Sequence, residues 1–500
     1  MLLHALFTTT LIFSITAAPA TTDCGLTMPS SWTYTNSIAQ RNASSISASP
    51  WSVGAETMDR NYTFFSAWST YLPLLGAKAA RVQGGWARTE PAGDGKFEWE
   101  WLDEIVRGMH TVGVSPWLQL SYGNPAYGTS GGTQESSSPL PVGAAGAAFQ
   151  RWVGALVTRY ADVVSTYEVW NEPNIMHINA SDMAIFTNST LTTLVQAYGV
   201  RQPPLVTRVG TLAGIDQTYA KQLLDGLKTA GGLPLVSEIS FHPYSFNPDA
   251  TYAKEANLSA LVEFYIGAGG KAVRIMQGEN GAPSTNTSYG ALSGYPWTDC
   301  SQAKWLSRRL VGDRARGVDS NIFSIADMCY LRDGHTDVNT KGLLSTNCSA
   351  PGFPVTRVKL AYAVVGRLFG LLDATFAPAP ASLGHVIVSS PVGTTPIFAS
   401  LFTHDVGSGP TPVVALWDPS GTPTNADNTS TTLVNVTVFW SSGGLPASGW
   451  NLFDSLTGSV FAQSSKEDGA SVTAENNSVT IVDVPTSDFV ALLALAPLSN

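Results

Sequence analysis

The middle of the chain repeats one alternation eight times: a short apolar run, then an amphipathic segment. The runs are rich in bulky and β-branched residues, which favour strands, whereas the segments space their apolar residues by three or four, which indicates helices. Consecutive strands joined by helices form parallel sheets, and eight such units close into a barrel. We therefore predict an α/β fold with a (β/α)8 TIM barrel at residues 51–375. The predicted strands are 52–56, 79–83, 115–121, 166–171, 205–210, 238–244, 273–279 and 321–327.

The pattern changes near residue 376. A linker-like stretch, APAPASLG, is followed by short alternating runs that Gly, Ser, Thr and Pro separate, and helical spacing disappears. Alternation with period two is typical of strands that bury one face. We predict a C-terminal antiparallel β-sandwich at residues 376–500, to which the polar N-terminal segment 21–50 can add a strand.

The first residues have the features of an export signal. An apolar stretch at residues 2–15 precedes the small residues Ala18-Pro19-Ala20, which suit a cleavage site. We predict that residues 1–20 are a secretory signal peptide and that the protein is secreted; an uncleaved anchor is the alternative. No later run of 18 apolar residues indicates a membrane span.

Cysteines and glycosylation motifs agree with export. The four cysteines, Cys24, Cys300, Cys329 and Cys348, match no zinc pattern and are expected to form two disulfides, with all three pairings open. N-linked glycans are expected on some of ten Asn-X-Ser/Thr motifs. These begin at Asn42, Asn61, Asn179, Asn188, Asn257, Asn286, Asn347, Asn428, Asn435 and Asn476.

Charge excludes two classes of partner. Only 13% of residues are charged, the net charge is -10, and no basic cluster occurs. Nucleic acids and anionic membranes are therefore not expected as partners.

Carboxylates stand where strands of the predicted barrel end. The fourth strand, in YEVWNEPN, ends at Asn171-Glu172, and the seventh, in IMQGENG, ends at Glu279. The sixth ends at His242-Pro243-Tyr244. Because TIM-barrel sites form at the C-terminal ends of the strands, two glutamates should face each other across one mouth.

Paired carboxylates of this kind perform glycoside hydrolysis. One protonates the leaving oxygen while the other attacks the anomeric carbon, and in retaining enzymes they lie about 5 to 5.5 Å apart. Burial and the neighbouring negative charge are expected to raise the pKa of the acid, which keeps it protonated until the first step. No cofactor is needed for this chemistry.

These motifs resemble those of the clan A retaining glycoside hydrolases. Within the clan, the stretches RVQGGWARTEPAGDGKFEWEWLDEIV and PWLQLSYGNPAYG are most similar to glycoside hydrolase family 39, which joins a barrel to a β-sandwich. The resemblance implies that Glu172 is the acid/base and Glu279 the nucleophile. It also implies that Asn171 binds the sugar 2-hydroxyl and that Tyr244 orients the nucleophile. Glu279 departs from the family because it lies in QGEN rather than after threonine.

Other polar and aromatic residues are candidates for substrate contact, and each has a structural alternative. His242 can line the site or be a satisfied core histidine. Glu90 and the acidic residues after it are expected to form a solvated helix entry. Arg88 and Arg332 are the candidates for binding an acidic sugar. Aromatic subsite walls or loop covers are expected at Trp86, Tyr122, Asn124 and Trp297, and hydroxyl-binding or salt-bridged carboxylates at Glu56 and Asp327.

The sequence predicts a secreted retaining glycosidase that acts on β-linked oligosaccharides or polysaccharides. The alternatives are an endo-acting glucanase or mannanase of family 5 or family 30 type, and a non-catalytic carbohydrate-binding wall protein. The presence of both carboxylates disfavours the last. Long predicted loops at 122–143 and 281–300 favour a closed pocket over an open cleft, while the sugar, the linkage and the oligomeric state stay open.

Overall fold

The computed structural model describes residues 24–129, 139–332, 334–390, 396–405, 409–425, 431–441, 445–446, 449–463, 472–475 and 477–495. The predicted signal peptide and the motifs at Asn428 and Asn476 lie outside these residues. The first strand is β1 (Trp32–Ser37). Eight parallel strands then close into a barrel, which confirms the predicted fold class. They are β2 (Trp51–Gly54), β3 (Ala79–Gln83), β4 (Ser115–Leu120), β5 (Thr166–Val169), β6 (Val206–Ala213), β7 (Glu238–His242), β8 (Arg274–Asn280) and β9 (Asp319–Ile322).

The helices surround the barrel and pack their apolar faces on it. In the helix at 100–111, for example, the residues spaced by three or four, Leu102, Ile105 and Met109, are buried. The four amphipathic segments at 97–113, 146–163, 304–317 and 357–373 contain helices that the structure places at 100–111, 143–160, 299–314 and 360–371. The α-helices are α1 (Phe65–Trp68), α2 (Tyr71–Leu74), α3 (Trp86–Thr89), α4 (Glu100–Thr111), α5 (Gly143–Tyr160), α6 (Ala180–Tyr198), α7 (Gln217–Ala230), α8 (Tyr252–Val262), α9 (Asp299–Arg314) and α10 (Leu360–Leu371).

Two hairpins separate the last barrel strand from its helix. The predicted strand 321–327 is shorter in the structure, because β9 ends at Ile322 and Asp327 belongs to the connection. The hairpin strands pair antiparallel, β10 with β11 and β12 with β13. Their bounds are β10 (Met328–Arg332), β11 (His335–Asn339), β12 (Leu344–Thr346) and β13 (Val355–Val358).

The C-terminal part forms two antiparallel sheets, as predicted. The larger sheet has the order β1-β20-β19-β23-β17-β16-β14, and the smaller one β15-β18-β22-β21. The N-terminal strand β1 thus pairs with β20. The strands are β14 (Phe376–Pro378), β15 (Gly384–Ser389), β16 (Phe398–His404), β17 (Thr411–Trp417), β18 (Thr432–Trp440), β19 (Asn451–Asp454), β20 (Ser459–Gln463), β21 (Val472–Glu475), β22 (Ser478–Thr486) and β23 (Ala491–Ala494).

Hydrogen bonds and one disulfide join the β-sheets and the N-terminal segment to the barrel. Arg308 of α9 is buried, donates to Asp249 at 2.8 Å and also reaches the carbonyl oxygen of Pro419 at 2.9 Å. The disulfides pair Cys24 with Cys300 and Cys329 with Cys348, which resolves the pairing that the sequence left open. Among the helices described, none combines the length and apolar character needed to cross a bilayer.

Candidate active site

Glu172 and Glu279 meet at the C-terminal mouth of the barrel. Glu172 follows β5 and Glu279 lies near the end of β8. One oxygen of each carboxylate and one ring nitrogen of His242 all lie within 4.8 Å of one another. The two side chains are 20% and 15% exposed, whereas His242 beside them has no exposed surface. The carboxylates are therefore the charged groups of this cluster that a ligand in the mouth can reach.

The backbone after β5 turns sharply to present Glu172. Trp170 and Glu172 have φ of 67° and 45°, a left-handed conformation that costs a non-glycine residue about 1–3 kcal/mol. Two long-range hydrogen bonds hold the turn, from Trp170 N to Leu120 O at 3.0 Å and from Glu172 N to Thr211 O at 2.8 Å. The Trp170 side chain is fully buried in the core, so the turn separates a packing residue from a partly exposed carboxylate.

Three groups control the charge of Glu279. Arg81 Nη1 donates to Oε2 at 2.6 Å, and the hydroxyl of Tyr244 donates to Oε1 at 2.9 Å. Burial alone would favour the neutral acid, but the charges of His242 and Arg81 and these two hydrogen bonds outweigh it. The pKa of the Glu279 carboxyl is consequently lower than its ordinary value. This carboxylate is thus kept ionised and oriented.

Arg81 is the centre of a buried network under the mouth. Its guanidinium donates to Glu168 at 2.7 Å, to Glu56 at 3.2 Å and to the side-chain oxygen of Asn171 at 3.1 Å. Gln119 donates to the same Asn171 oxygen at 3.0 Å, which fixes the amide. Burial raises the pKa of the Glu56 carboxyl to about 8, although Arg81 opposes the shift. The shift favours the neutral form of Glu56, which leaves Glu168 and Glu279 as the main carboxylate partners of Arg81.

Glu172 has a different neighbour, the imidazole of His242. Nδ1 of the ring lies 2.9 Å from Oε1 of Glu172 and 3.7 Å from an oxygen of Glu279. Burial disfavours the charged ring, but the carboxylates of Glu279 and Glu172 prevail and raise the pKa of His242. His242 is thus buried beside the two carboxylates and contacts Glu172 directly.

Several predicted contact residues pack into the loops above the barrel. Trp86 is fully buried between aromatic rings and donates its indole N–H to Glu90 at 2.7 Å. The side chain of Asn124 donates to the backbone oxygen of Glu90 at 2.9 Å and is also buried. Because Glu90 is only 1% exposed, the expectation of a solvated acidic residue is wrong for it. Trp86 and Asn124 therefore have the packing and hydrogen bonds of loop covers, the structural alternative for these residues.

Tyr122, Trp297 and Asp327 also have packing or salt-bridge contacts within the protein. Tyr122 is buried beneath Arg60, which lies 5.1 Å above its ring, and Trp297 packs against Phe246 with its indole N–H on the Leu292 carbonyl at 2.7 Å. Asp327 pairs with Lys359 at 2.7 Å. The structure therefore gives Asp327 the salt-bridging role, away from the two catalytic candidates, because the chain leaves the barrel strand at Ile322.

Charged residues inside the barrel strands are a sequence feature that indicates the buried network. Arg81 and Glu168 interrupt the apolar runs of β3 and β5, and a buried charge must be paired. Arg88, by contrast, does not reach the mouth, since it bonds to Asn61 at 2.9 Å and lies over Trp101. The side chain of Arg332 is outside the described residues. Lys341, which no motif indicated, lies 5.8 Å from the ring centre of Tyr244.

A metal ion is a poor fit to this site. Within the described part of the chain, Glu172, His242 and Glu279 are the only group of three potential ligands found. Arg81 already lies 2.6 Å from Glu279 and supplies a positive charge there. The donor set therefore suits proton transfer and nucleophilic attack better than ligation of a cation.

The fold is similar to those of solved glycoside hydrolases. A family 39 glycoside hydrolase from Bacteroides cellulosilyticus matches with a TM-score of 0.59 and 15% identity, over 88% of this chain and 80% of that one. A monomeric β-xylosidase from Caulobacter crescentus matches with 0.55 and 14%, over 91% and 98%. A family 51 arabinofuranosidase from Xanthomonas axonopodis matches with 0.53 and 11%, over 92% and 97%. No protein-family model and no curated protein matches the chain. The chain therefore has the fold of the family 39 enzymes, as the motifs suggested.

Proposed function

We propose that the protein is a secreted retaining glycoside hydrolase that cleaves β-glycosidic bonds by double displacement. The observation that carries the proposal is the separation of the two carboxylates, whose nearest oxygens lie within 4.8 Å. Retaining enzymes place their carboxyl groups about 5 to 5.5 Å apart, while inverting enzymes leave about 6.5 to 9.5 Å for a water molecule. The short separation favours direct attack on the sugar.

In the first step, Glu279 attacks the anomeric carbon while Glu172 gives its proton to the departing oxygen. The Glu279–carbon bond forms as the glycosidic bond breaks, and the leaving group departs as a neutral alcohol. Arg81 and Tyr244 aim the attacking oxygens, because each carboxylate oxygen accepts one of their hydrogen bonds. Because the carboxylate is already oriented, less entropy is lost on reaching the transition state, and the activation free energy of this step is lower.

In the second step, Glu172 is the base. Once Glu279 is esterified it is no longer negative, so Glu172 takes a proton from water and the hydroxyl oxygen attacks the anomeric carbon. Glu279 leaves as a carboxylate and regains its ion pair with Arg81. Two inversions at one carbon give a product of the original β configuration.

Asn171 is the proposed contact for the sugar next to the bond that breaks. Its side-chain oxygen is occupied by Arg81 and Gln119, so the NH₂ group is the part that remains for a sugar hydroxyl. Its amide is thereby fixed beside Glu172. A hydrogen bond to the 2-hydroxyl that strengthens in the transition state supports this reaction class.

Secretion and glycosylation complete the proposal. Both disulfides are of the kind that persists in an oxidising compartment. Among the predicted glycosylation sites, Asn42, Asn61, Asn179, Asn257, Asn286 and Asn347 are exposed. Exposed asparagines are accessible to glycan transfer, and the attached sugars would add polar surface to a chain with only 13% charged residues.

The test is the stereochemistry of the first product. With a panel of 4-nitrophenyl β-glycosides, we expect nitrophenol release, and proton NMR at early times should show the β anomer before mutarotation. Early accumulation of the α anomer would establish inversion and contradict the double displacement. A chain that hydrolyses no aryl glycoside, oligosaccharide or polysaccharide would remove the enzyme assignment altogether.

Replacing Tyr244 by Phe should slow the reaction and shift its pH profile. A hydrogen bond to a charged group contributes about 1.5–3 kcal/mol, which corresponds to a loss of about 10- to 150-fold in kcat/KM. The Tyr244 bond helps lower the pKa of Glu279. Its removal raises that pKa, so the acid limb of kcat/KM should move to higher pH. Initial rates across pH measure both effects.

Tyr265→Phe is the matched control. Its hydroxyl also donates to a carboxylate, Asp225, at 2.8 Å, but the pair connects the residues after α8 to α7. The control should leave the pH profile unchanged. An unshifted acid limb in Tyr244→Phe would show that the tyrosine does not act on the nucleophile.

A further inference from the structure

One buried basic side chain near the mouth has no carboxylate partner among the residues that the structure describes. Six lysine and arginine residues are buried in the described part of the chain, and five of them pair with a carboxylate within 4.0 Å. Lys341 is the exception, since no described carboxylate lies within that distance. The five paired residues are Arg81, Lys304, Arg308, Arg309 and Lys359.

The amine of Lys341 has weak partners. Nζ is 3.4 Å from the side-chain oxygen of Asn339 and 3.5 Å from the carbonyl oxygen of Tyr289, both near the limit for a hydrogen bond. The residue is 1% exposed. Burial lowers the pKa of Lys341 to about 7, and the negative charge of Glu279 opposes this shift. An anion beside the amine would favour its charged form.

The backbone under Lys341 is firmly held. Buried Gln302 of α9 donates to the carbonyl oxygen of Lys341 at 3.2 Å, and the backbone N–H of Thr340 donates to Ser288 at 3.0 Å. The position of the chain is thus defined, whereas the amine at its end is loosely bonded. A buried ammonium without a counterion costs several kcal/mol, and loss of its proton, which the lowered pKa of Lys341 favours, relieves that cost. Such an arrangement is expected where a ligand supplies the missing charge.

Tyr244 connects this amine to the reaction centre. The ring of Tyr244 lies 5.8 Å from Nζ of Lys341, and its hydroxyl donates to Glu279 at 2.9 Å. A sugar attacked by Glu279 must lie against Tyr244, so Lys341 is near one edge of that sugar. Lys341 comes from the connection between β11 and β12, in the insertion that separates β9 from α10.

We propose that Lys341 binds a carboxylate on the sugar that Glu279 attacks, so that the enzyme acts on glycans with a terminal uronic acid. The proposal rests on the hydrolase function proposed above. A hydroxymethyl group cannot neutralise the amine, whereas a carboxylate supplies the counterion that the other buried cations already have. The same residue therefore favours uronides over neutral sugars, because a neutral sugar leaves the amine as it is in the free enzyme, without a counterion.

The experiment compares matched substrates that differ only in one group. Wild-type enzyme and Lys341→Met are assayed with the 4-nitrophenyl β-D-glucuronide and glucoside, the galacturonide and galactoside, and the glucoside 6-sulfate. We expect wild type to prefer a uronide, and Lys341→Met to lose about 100-fold in kcat/KM on it while its rate on the neutral partner hardly changes. Faster cleavage of the sulfate than of either uronide would overturn the assignment to a uronic acid.

Two controls separate recognition from folding. Lys304→Met removes another buried lysine, the partner of Asp488 and Thr424, and should lower Tm without changing the ratio of uronide to neutral rates. If Lys341→Met does not fold, inhibition of wild type by free glucuronate and by glucose gives the same information, and equal inhibition overturns the proposal. Wild-type cleavage of neutral glycosides with no uronide preference would contradict this inference alone. Absence of all hydrolysis would contradict the proposed function.

Discussion

Glu279→Ala is expected to abolish turnover, with kcat at least about 10⁴-fold lower than that of the wild type. The reason is that no other carboxylate can replace it: Glu168 and Glu56 are buried and bonded to Arg81, and Glu172 follows a different strand. Initial rates with an activated aryl glycoside measure the loss. The protein should stay folded, because Arg81 keeps its pair with Glu168 when Glu279 is removed.

Azide tests the role of Glu279 more sharply than the loss of rate does. In the alanine variant, azide can occupy the space of the missing carboxylate and attack the sugar from that side. A single displacement inverts the anomeric carbon, so a β-glycoside should yield the α-glycosyl azide. Recovery of the β-glycosyl azide would identify a different nucleophile.

The control for this variant is Glu263→Ala, which deletes an exposed glutamate after α8. It should have the wild-type rate and the wild-type thermal unfolding temperature. Wild-type activity in Glu279→Ala would remove Glu279 from the mechanism. A large fall in Tm with no folded protein would show instead that the carboxylate is needed for the buried network around Arg81.

Glu172→Ala should have an effect that depends on the leaving group. A general acid contributes about 10²- to 10⁴-fold to rate, and poor leaving groups need the most help. We expect kcat/KM to fall by about that amount for an alkyl glycoside and to change little for a 2,4-dinitrophenyl glycoside, which departs without a proton. Because the second step also lacks its base, the glycosyl-enzyme should accumulate and give a burst of dinitrophenol.

Azide should restore turnover of this variant with the opposite stereochemistry to that seen with Glu279→Ala. It attacks the glycosyl-enzyme from the side where Glu172 was, and two inversions give the β-glycosyl azide. Glu168→Ala cannot be the control, since Glu168 belongs to the Arg81 network, so the exposed Glu263→Ala is used again. Equal losses for alkyl and dinitrophenyl substrates would show that Glu172 does not donate the proton.

The sequence predicted the fold and the strand ends well because these depend on local features. The alternation of apolar runs and helical spacing placed the barrel strands within a few residues. The exception is the last strand, which is shorter than predicted because the chain leaves the barrel for two hairpins after Ile322. Glu172 and Glu279 also came from sequence, since strands of a parallel barrel end on one face whatever their loops do.

Loop residues were predicted less well. Trp86 and Trp297 were candidates for subsite walls or loop covers, and both are buried in clusters of rings. Burial of a loop side chain depends on which distant segments cover it, and no spacing in the sequence records that. The ion pair of Asp327 could not be predicted from sequence spacing either, because its partner Lys359 lies 32 positions away along the chain.

The order of strands and helices, the antiparallel C-terminal region and the two carboxylates follow from the sequence alone, because apolar periodicity and strand ends are properties of short stretches. Only the tertiary structure decided how the charges are paired. Arg81 meets Glu279 across 198 positions of chain, and Lys341 comes near the same site with no carboxylate of the described residues within 4.0 Å of its amine. Pairing depends on distances in space between residues that are remote in sequence. The barrel fold sets these distances, whereas the sequence shows only which charged residues are present.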